Sequence, residues 1–197
     1  MPDRITEHYE RHARAFDSDR GRDFVERPWI ERFVMPLPRG GAILDLGCGG
    51  GEPIDRYLVD HGFAVTGIDT SETMIGLART RFPRHHWLHI DMRKLAIEQR
   101  FEGVIAWSSL FHLEPDDQEA MIARMAGWLK PGGRLLFNSG PGRGTSVGEY
   151  RGDPLFHASL DPAEYRAAFL TAGLVEMAHV AEDPGCRGAT IWLARKV

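Results

Sequence analysis

Ile43-Leu44-Asp45-Leu46-Gly47-Cys48-Gly49-Gly50-Gly51 is the stretch whose reading decides the fold. The apolar residues Ile43, Leu44 and Leu46 read as a buried strand that carries one acid, Asp45. The strand runs into glycines at alternate positions, Gly47, Gly49 and Gly51, and an amphipathic helix is predicted from Pro53 to Asp60. Strand, glycine turn and helix form the opening unit of a doubly wound α/β fold. Glycine suits such a turn because the chain must bend sharply and lie against a ligand with no Cβ between them. A flat, nucleotide-like ligand is therefore expected on this loop.

The same residues choose between ligands. A dinucleotide fingerprint reads G-x-G-x-x-G; Gly47 and Gly49 fit it, but Glu52 stands at the third glycine position. An acid in the first helical turn repels a pyrophosphate that the positive helix end would otherwise hold. Asp45 adds a second negative charge. Both suit a phosphate-free, cationic ligand, and S-adenosylmethionine carries a sulfonium and an ammonium group. The run Asp45-Leu46-Gly47-Cys48-Gly49-Gly50-Gly51 matches D-x-G-x-G-x-G and resembles the first motif of class I SAM-dependent methyltransferases. The likeness is to small bacterial-type enzymes acting on metabolites, and it spans Gly41 to Phe137. It implies methyl transfer from S-adenosyl-L-methionine to a small-molecule acceptor. The alternatives are a nicotinamide-dependent oxidoreductase, which Glu52 and Asp45 disfavour, and a SAM-binding protein without catalysis.

Length and charge set bounds. With 197 residues the chain suffices for one domain with a sizeable core. A net charge of −4 disfavours a broad nucleic-acid surface. Two cysteines, Cys48 and Cys186, make no disulfide framework and fit a reducing compartment. The charged N-terminus does not read as a secretory signal, and no apolar run has the length of a membrane span. The expectation is a cytoplasmic protein, monomer or homodimer, acting on neither nucleic acid nor membrane.

The rest of the chain alternates helix and strand. An amphipathic helix is predicted over Asp3 to Asp17, a break at Gly21, and a second helix over Asp23 to Met35; residues 1–38 read together as an N-terminal helical cap. The cofactor-binding core is expected over 41–138, with strands at Phe63–Ile68, Trp87–Ile90, Phe101–Trp107 and Arg134–Asn138. Lys130-Pro131-Gly132-Gly133 reads as a helix stop and turn. Residues 139–160, rich in Gly and Pro without periodicity, read as a long loop that contacts substrate. A helix capped by Asp161 and a closing hairpin complete the pattern. The predicted fold is a Rossmann-like doubly wound sheet of seven strands, mostly parallel, with one antiparallel strand near the edge and the helical cap in front.

Candidate site residues follow from position. Asp69 ends the second strand, where a carboxylate at the ligand crevice accepts the ribose hydroxyls; a helix-capping role is the alternative. The resemblance assigns Asp91 to the adenine edge, beside the Met92 backbone amide, although Asp91 also fits a helix N-cap. Met74, on the helix after Asp69 and Thr70, is placed to pack on the adenine face or in the core. Trp107 and Ser108 end the fourth strand at the switch point and, with Gly47, Cys48 and Gly49, are expected at the cofactor. Ala106-Trp107-Ser108-Ser109 lacks the Asp/Asn-Pro-Pro-aromatic motif of nucleobase amino-methyltransferases. Tyr9 and Arg14 are candidates to reach the methionine carboxylate. His112 is a candidate general base, and His157 a second catalytic candidate; either also fits ordinary packing. His85, His86 and His89 lack the spacing and partners of a metal site, and no metal is expected.

Overall fold

The computed structural model describes residues 2–20 and 23–197. In chain order its helices are α1 (Pro2–Asp19), α2 (Arg27–Val34), α3 (Ile54–Asp60), α4 (Glu72–Arg81), α5 (Pro115–Trp128) and α6 (Pro162–Ala172). Its strands are β1 (Ala42–Leu46), β2 (Ala64–Asp69), β3 (His86–His89), β4 (Phe101–Ala106), β5 (Leu129–Ser139), β6 (Gly144–Tyr150), β7 (Asp153–Ser159), β8 (Leu174–Asp183) and β9 (Ala189–Lys196). The predicted break at Gly21 lies outside the described residues.

Seven strands form one sheet in the order β3-β2-β1-β4-β5-β9-β8. Only β9 runs against the rest, pairing antiparallel with both β5 and β8. The chain winds outward from β1 through β2 to β3, then restarts on the other side with β4. That reversal leaves a crevice beyond the carboxyl ends of β1 and β4. Side chains alternate faces along each strand. Leu135 and Phe137 of β5 pack with Met121, Tyr165 and Trp192 on the α5 and α6 side. Leu136 joins Trp29, Phe33, Ile43 and Leu58 on the α2 and α3 side.

α2 belongs to this core. Trp29, Ile30 and Phe33 are buried, and a Cβ on Gly103 of β4 would meet the Phe33 ring at 2.5 Å. α1 has a different role: among the described residues it adds no side chain to either core cluster. It docks through aromatic contacts to Tyr150 and His112 and through polar contacts. Glu10 accepts from the Ser71 hydroxyl at 2.5 Å and the Thr73 hydroxyl at 2.6 Å, at the N-terminus of α4. Asp17 takes both ends of the Arg81 fork at 2.6 Å, and Arg81 donates to the Gly50 carbonyl at 2.9 Å.

Two expectations from sequence are corrected. Residues 139–160 are not a structureless loop: most of them pair as the hairpin β6–β7. The pairing is closed by Arg151 and Gly152, both at positive φ (51° and 85°), as in a type I′ turn, whose twist suits a two-residue hairpin. The fifth strand is longer than Arg134–Asn138. It starts at Leu129, which pairs with Phe101, and resumes at Arg134 opposite Gly103, so Lys130-Pro131-Gly132-Gly133 bulges out of it.

Candidate active site

An open cleft with about 1110 Å³ of empty volume lies at the β1/β4 switch point. Its floor is the glycine turn. The Gly47 and Cys48 amides donate to the Ile68 carbonyl at 2.8 and 3.0 Å, which ties the loop to the end of β2. Gly47 sits at φ 85° and a Cβ there would strike Ser109 at 2.4 Å. Gly49, at φ 55°, has only the Met74 sulfur within 4.0 Å of such a Cβ, so its backbone lies bare to the cleft. Asp69 braces this arrangement: Oδ2 accepts from the Gly49 amide at 2.9 Å and Oδ1 from the Ser71 amide at 2.8 Å. Burial raises its pKa, against these amide bonds, which favour the ionised form.

Apart from Arg14, the positions expected to touch cofactor line this one cleft: Tyr9, the Asp45 to Gly49 loop without Leu46, Asp69, Thr70, Met74, Asp91, Met92, Trp107 and Ser108. Asp91 fits the helix-cap reading and also lines the cleft. It caps the short turn Met92–Lys94 through the Arg93 amide at 2.8 Å. Burial alone would raise its pKa; the Arg93 guanidinium, at 2.5 Å, outweighs that and holds the carboxyl low. Ser108 is held at φ 55°, its amide donating to Asn138 Oδ1 at 2.6 Å. The Ser109 hydroxyl donates to the Leu46 carbonyl at 2.5 Å.

Charged residues in or beneath the cleft escaped the sequence reading, among them Arg20 and Asp55. Arg14 is exposed and away from the cleft; Arg20 lines it, donating to the Glu52 carbonyl at 3.1 Å and to Glu26 at 2.7 Å. Asp55, from the first turn of α3, is fully buried. Burial raises both carboxyls, Asp45 to about 7 and Asp55 well above the carboxylate range, and each is felt by the other.

His112 is buried in the lining of the cleft, and its tautomer follows from its partners. Nδ1 lies 2.8 Å from the Phe156 carbonyl, which only accepts, so Nδ1 carries the proton. Nε2 then accepts from the Tyr9 hydroxyl at 2.9 Å. Burial pushes the His112 pKa down to about 4. His157 of β7 stacks on the His112 ring with centroids 5.0 Å apart, but it lines a neighbouring hollow with Phe111 and Ser139 and not the main cleft. The three histidines near β3 do not converge: His85 Nδ1 accepts from the Val65 amide at 3.1 Å and His89 Nε2 donates to the Thr70 carbonyl at 2.9 Å.

The cleft fits S-adenosylmethionine better than a pyrophosphate. Asp17, Asp45, Glu52, Asp69 and Asp91 face it against two guanidinium groups, Arg20 and Arg93. The Glu52 carboxylate binds Arg56 at 2.8 Å from the helix end where a phosphate would have to sit.

The fold is the one shared by SAM-bound methyltransferase structures. Residues 43–133 match the family described as Methyltransferase domain. The chain is similar to a ubiquinone biosynthesis O-methyltransferase of Coxiella burnetii, 37% identical over 107 residues, which are 51% of this chain and 44% of that protein. It spans less than half the length of the curated relatives it matches. Among solved structures, SAM-bound CalS10, an amino pentose methyltransferase of Micromonospora echinaspora, superposes with TM-score 0.71 at 20% identity, covering 91% of this chain and 93% of that one. The 1,6-didemethyltoxoflavin-N1-methyltransferase of Burkholderia thailandensis gives TM-score 0.72 at 21% identity, covering 96% and 84%.

Proposed function

We propose that this chain transfers a methyl group from S-adenosylmethionine to a small-molecule acceptor. The observation that carries the reading is the acid-lined cleft at the switch point, with Asp69 bonded to the bare Gly49 backbone. Bound there, the cofactor supplies an electrophilic methyl and its own leaving group. The protein's part is then to bind, orient and exclude water. In this reading Asp69 takes the ribose hydroxyls, Asp91 and the Met92 amide the adenine edge, and Met74 the adenine face. Gly47, Cys48 and Gly49 border the methionine portion, Arg20 and Tyr9 close over it, and Trp107 and Ser108 stand where the methyl is presented.

His112 acts here by position, not as a strong base. A pKa near 4 leaves it neutral at physiological pH and a weak proton acceptor, and its Nε2 is already engaged by Tyr9. The pair fixes Tyr9 at the acceptor side. Such a site favours acceptors whose nucleophilic atom loses its proton readily, and the O-methyltransferases among the sequence relatives support an acidic oxygen, phenolic or carboxylic. The lid in this reading is α1 with the β6–β7 hairpin; α2, as part of the core, stays outside it. A reducing, cytoplasmic setting fits the two free, buried thiols Cys48 and Cys186, and no helix among the described residues is long and apolar enough to cross a membrane.

The test is S-adenosylhomocysteine release across a panel of phenols, carboxylic acids and amines. Release with an acidic oxygen acceptor, flat from pH 6 to 8 for the His112 contribution and reduced in Tyr9→Phe, is the expected result. SAM binding with no release on any acceptor would make the chain a non-catalytic SAM-binding protein.

A further inference from the structure

α1 and the hairpin β6–β7 meet at a cluster that methyl transfer does not use. His8 and His12 stand one turn apart on α1, and Asp153 begins β7 opposite them. One ligand atom from each lies within 4.8 Å of the other two. His12 Nε2 is 2.8 Å from Asp153 Oδ2, and His8 Nδ1 is 3.7 Å from the same oxygen.

An ordinary ion pair explains only part of this. Asp153 Oδ2 also accepts from Arg11 at 2.9 Å, so His12 and Arg11 have their partner. His8 does not: it is 4% exposed and its Nδ1 has no hydrogen-bond partner. A buried, unpaired imidazole nitrogen beside a carboxylate and a second imidazole is costly unless something occupies the gap. Two imidazoles at i, i+4 on one helix and one carboxylate are the donor set of a divalent transition metal. Imidazole nitrogens argue against magnesium and calcium, which take oxygen. With bonds of about 2.0–2.2 Å, donors round one zinc ion stand roughly 3.3 Å apart, so the widest pair closes by roughly 1.5 Å at most. Arg11 is 62% exposed and free to swing from Oδ2 into solvent.

We propose that His8, His12 and Asp153 bind one divalent transition-metal ion of the zinc class, which fastens α1 to the hairpin beside the cleft. The surroundings suit a clasp. The Tyr150 ring packs on both imidazoles at 5.8 Å and on Phe16 at 5.7 Å. Beyond it Asp19 accepts from the Tyr150 hydroxyl at 2.8 Å and from Arg151 at 2.9 Å. These exposed links are individually weak, so an ion at the other end would set how tightly the two lid elements close. This departs from the expectation of no metal, which considered only the histidines near β3.

The experiment is calorimetric titration of chelator-treated, full-length protein lacking a polyhistidine tag with zinc chloride, repeated with cobalt(II) to read its ligand-field spectrum. One equivalent should bind saturably, with a cobalt spectrum showing nitrogen ligation. His12→Gln and Asp153→Asn should each weaken zinc by at least roughly tenfold, since even groups behind a metal ligand contribute that much; His86→Gln should leave it unchanged. Circular dichroism and a SAM titration of each variant confirm folding, so failure here is separable from failure of the methyltransferase reading. No saturable binding, affinity in either ligand variant unchanged from the unsubstituted protein, or loss in His86→Gln would each overturn the proposal.

Discussion

Single residues decide what the cleft accepts. Asp45 and Asp55 place two carboxyls behind the glycine turn, and burial raises both. An unfolded carboxyl titrates near pH 4 (about 3.9 for Asp). The folded chain therefore keeps protons that the unfolded chain releases between about pH 4 and 7, and this pair lowers stability as pH rises through that window. Asp55→Asn keeps the shape and removes one charge. Its melting temperature should exceed that of the unsubstituted protein at pH 8, and the difference should shrink at pH 5. A pH-independent difference would mean that the two carboxyls do not share a proton. Asp55 was illegible in the sequence because it meets Asp45 only after α3 folds back over the strand. Arg20 has a simpler reason. On a helix Arg14 lies about 140° round from Tyr9, whereas position 20 lies about 20° from it. Helical phase, continued one residue past the end of α1, would have picked the right arginine.

At the scale of elements, the two N-terminal helices part company. α1 reaches the body through the polar contacts of Glu10, Asp17 and Asp19 and the rings of Tyr9 and Phe16, while α2 buries Trp29, Ile30, Phe33 and Val34. Deleting residues 2–19 should abolish S-adenosylhomocysteine release yet leave a cooperative unfolding transition. Phe33→Ala should instead destabilise the fold by about 3–5 kcal/mol, the usual cost of emptying a buried aromatic site, with cofactor affinity little changed in the folded fraction. Full activity in the truncated protein would remove α1 from the lid. Most elements announced themselves: the Asp161 cap with Glu164 closing its box, and Gly173 in the left-handed position after α6, are local signals. The hairpin gave none. β6 reads Gly-Thr-Ser-Val-Gly-Glu-Tyr with nearly every residue exposed, so no buried face imposes an alternation, and pairing is set by the Arg151-Gly152 turn and the partner strand.

For the whole molecule, the order of the sheet places everything else. Alternating strands and helices with a closing hairpin made seven strands and one antiparallel member readable from sequence, because each crossover is local and each buried strand is a short apolar run. Position and resemblance already pointed to Asp45, Asp69, Asp91 and Ser108, which the reversal of winding joins around one cavity; other side chains that α1 brings there, such as Arg20, are not legible from the glycine turn because they come from a distant part of the chain. The central claim is that this cavity binds a cationic, phosphate-free nucleoside. Calorimetric titration with S-adenosylmethionine, S-adenosylhomocysteine and NADH tests it most directly. The account predicts micromolar-range binding of the first two, about −8 kcal/mol, no binding of NADH, and a loss of about ten- to a hundredfold for S-adenosylmethionine in Asp69→Ala, from the charge-assisted bonds removed. Binding of NADH alone would contradict it and make the glycine turn a dinucleotide site.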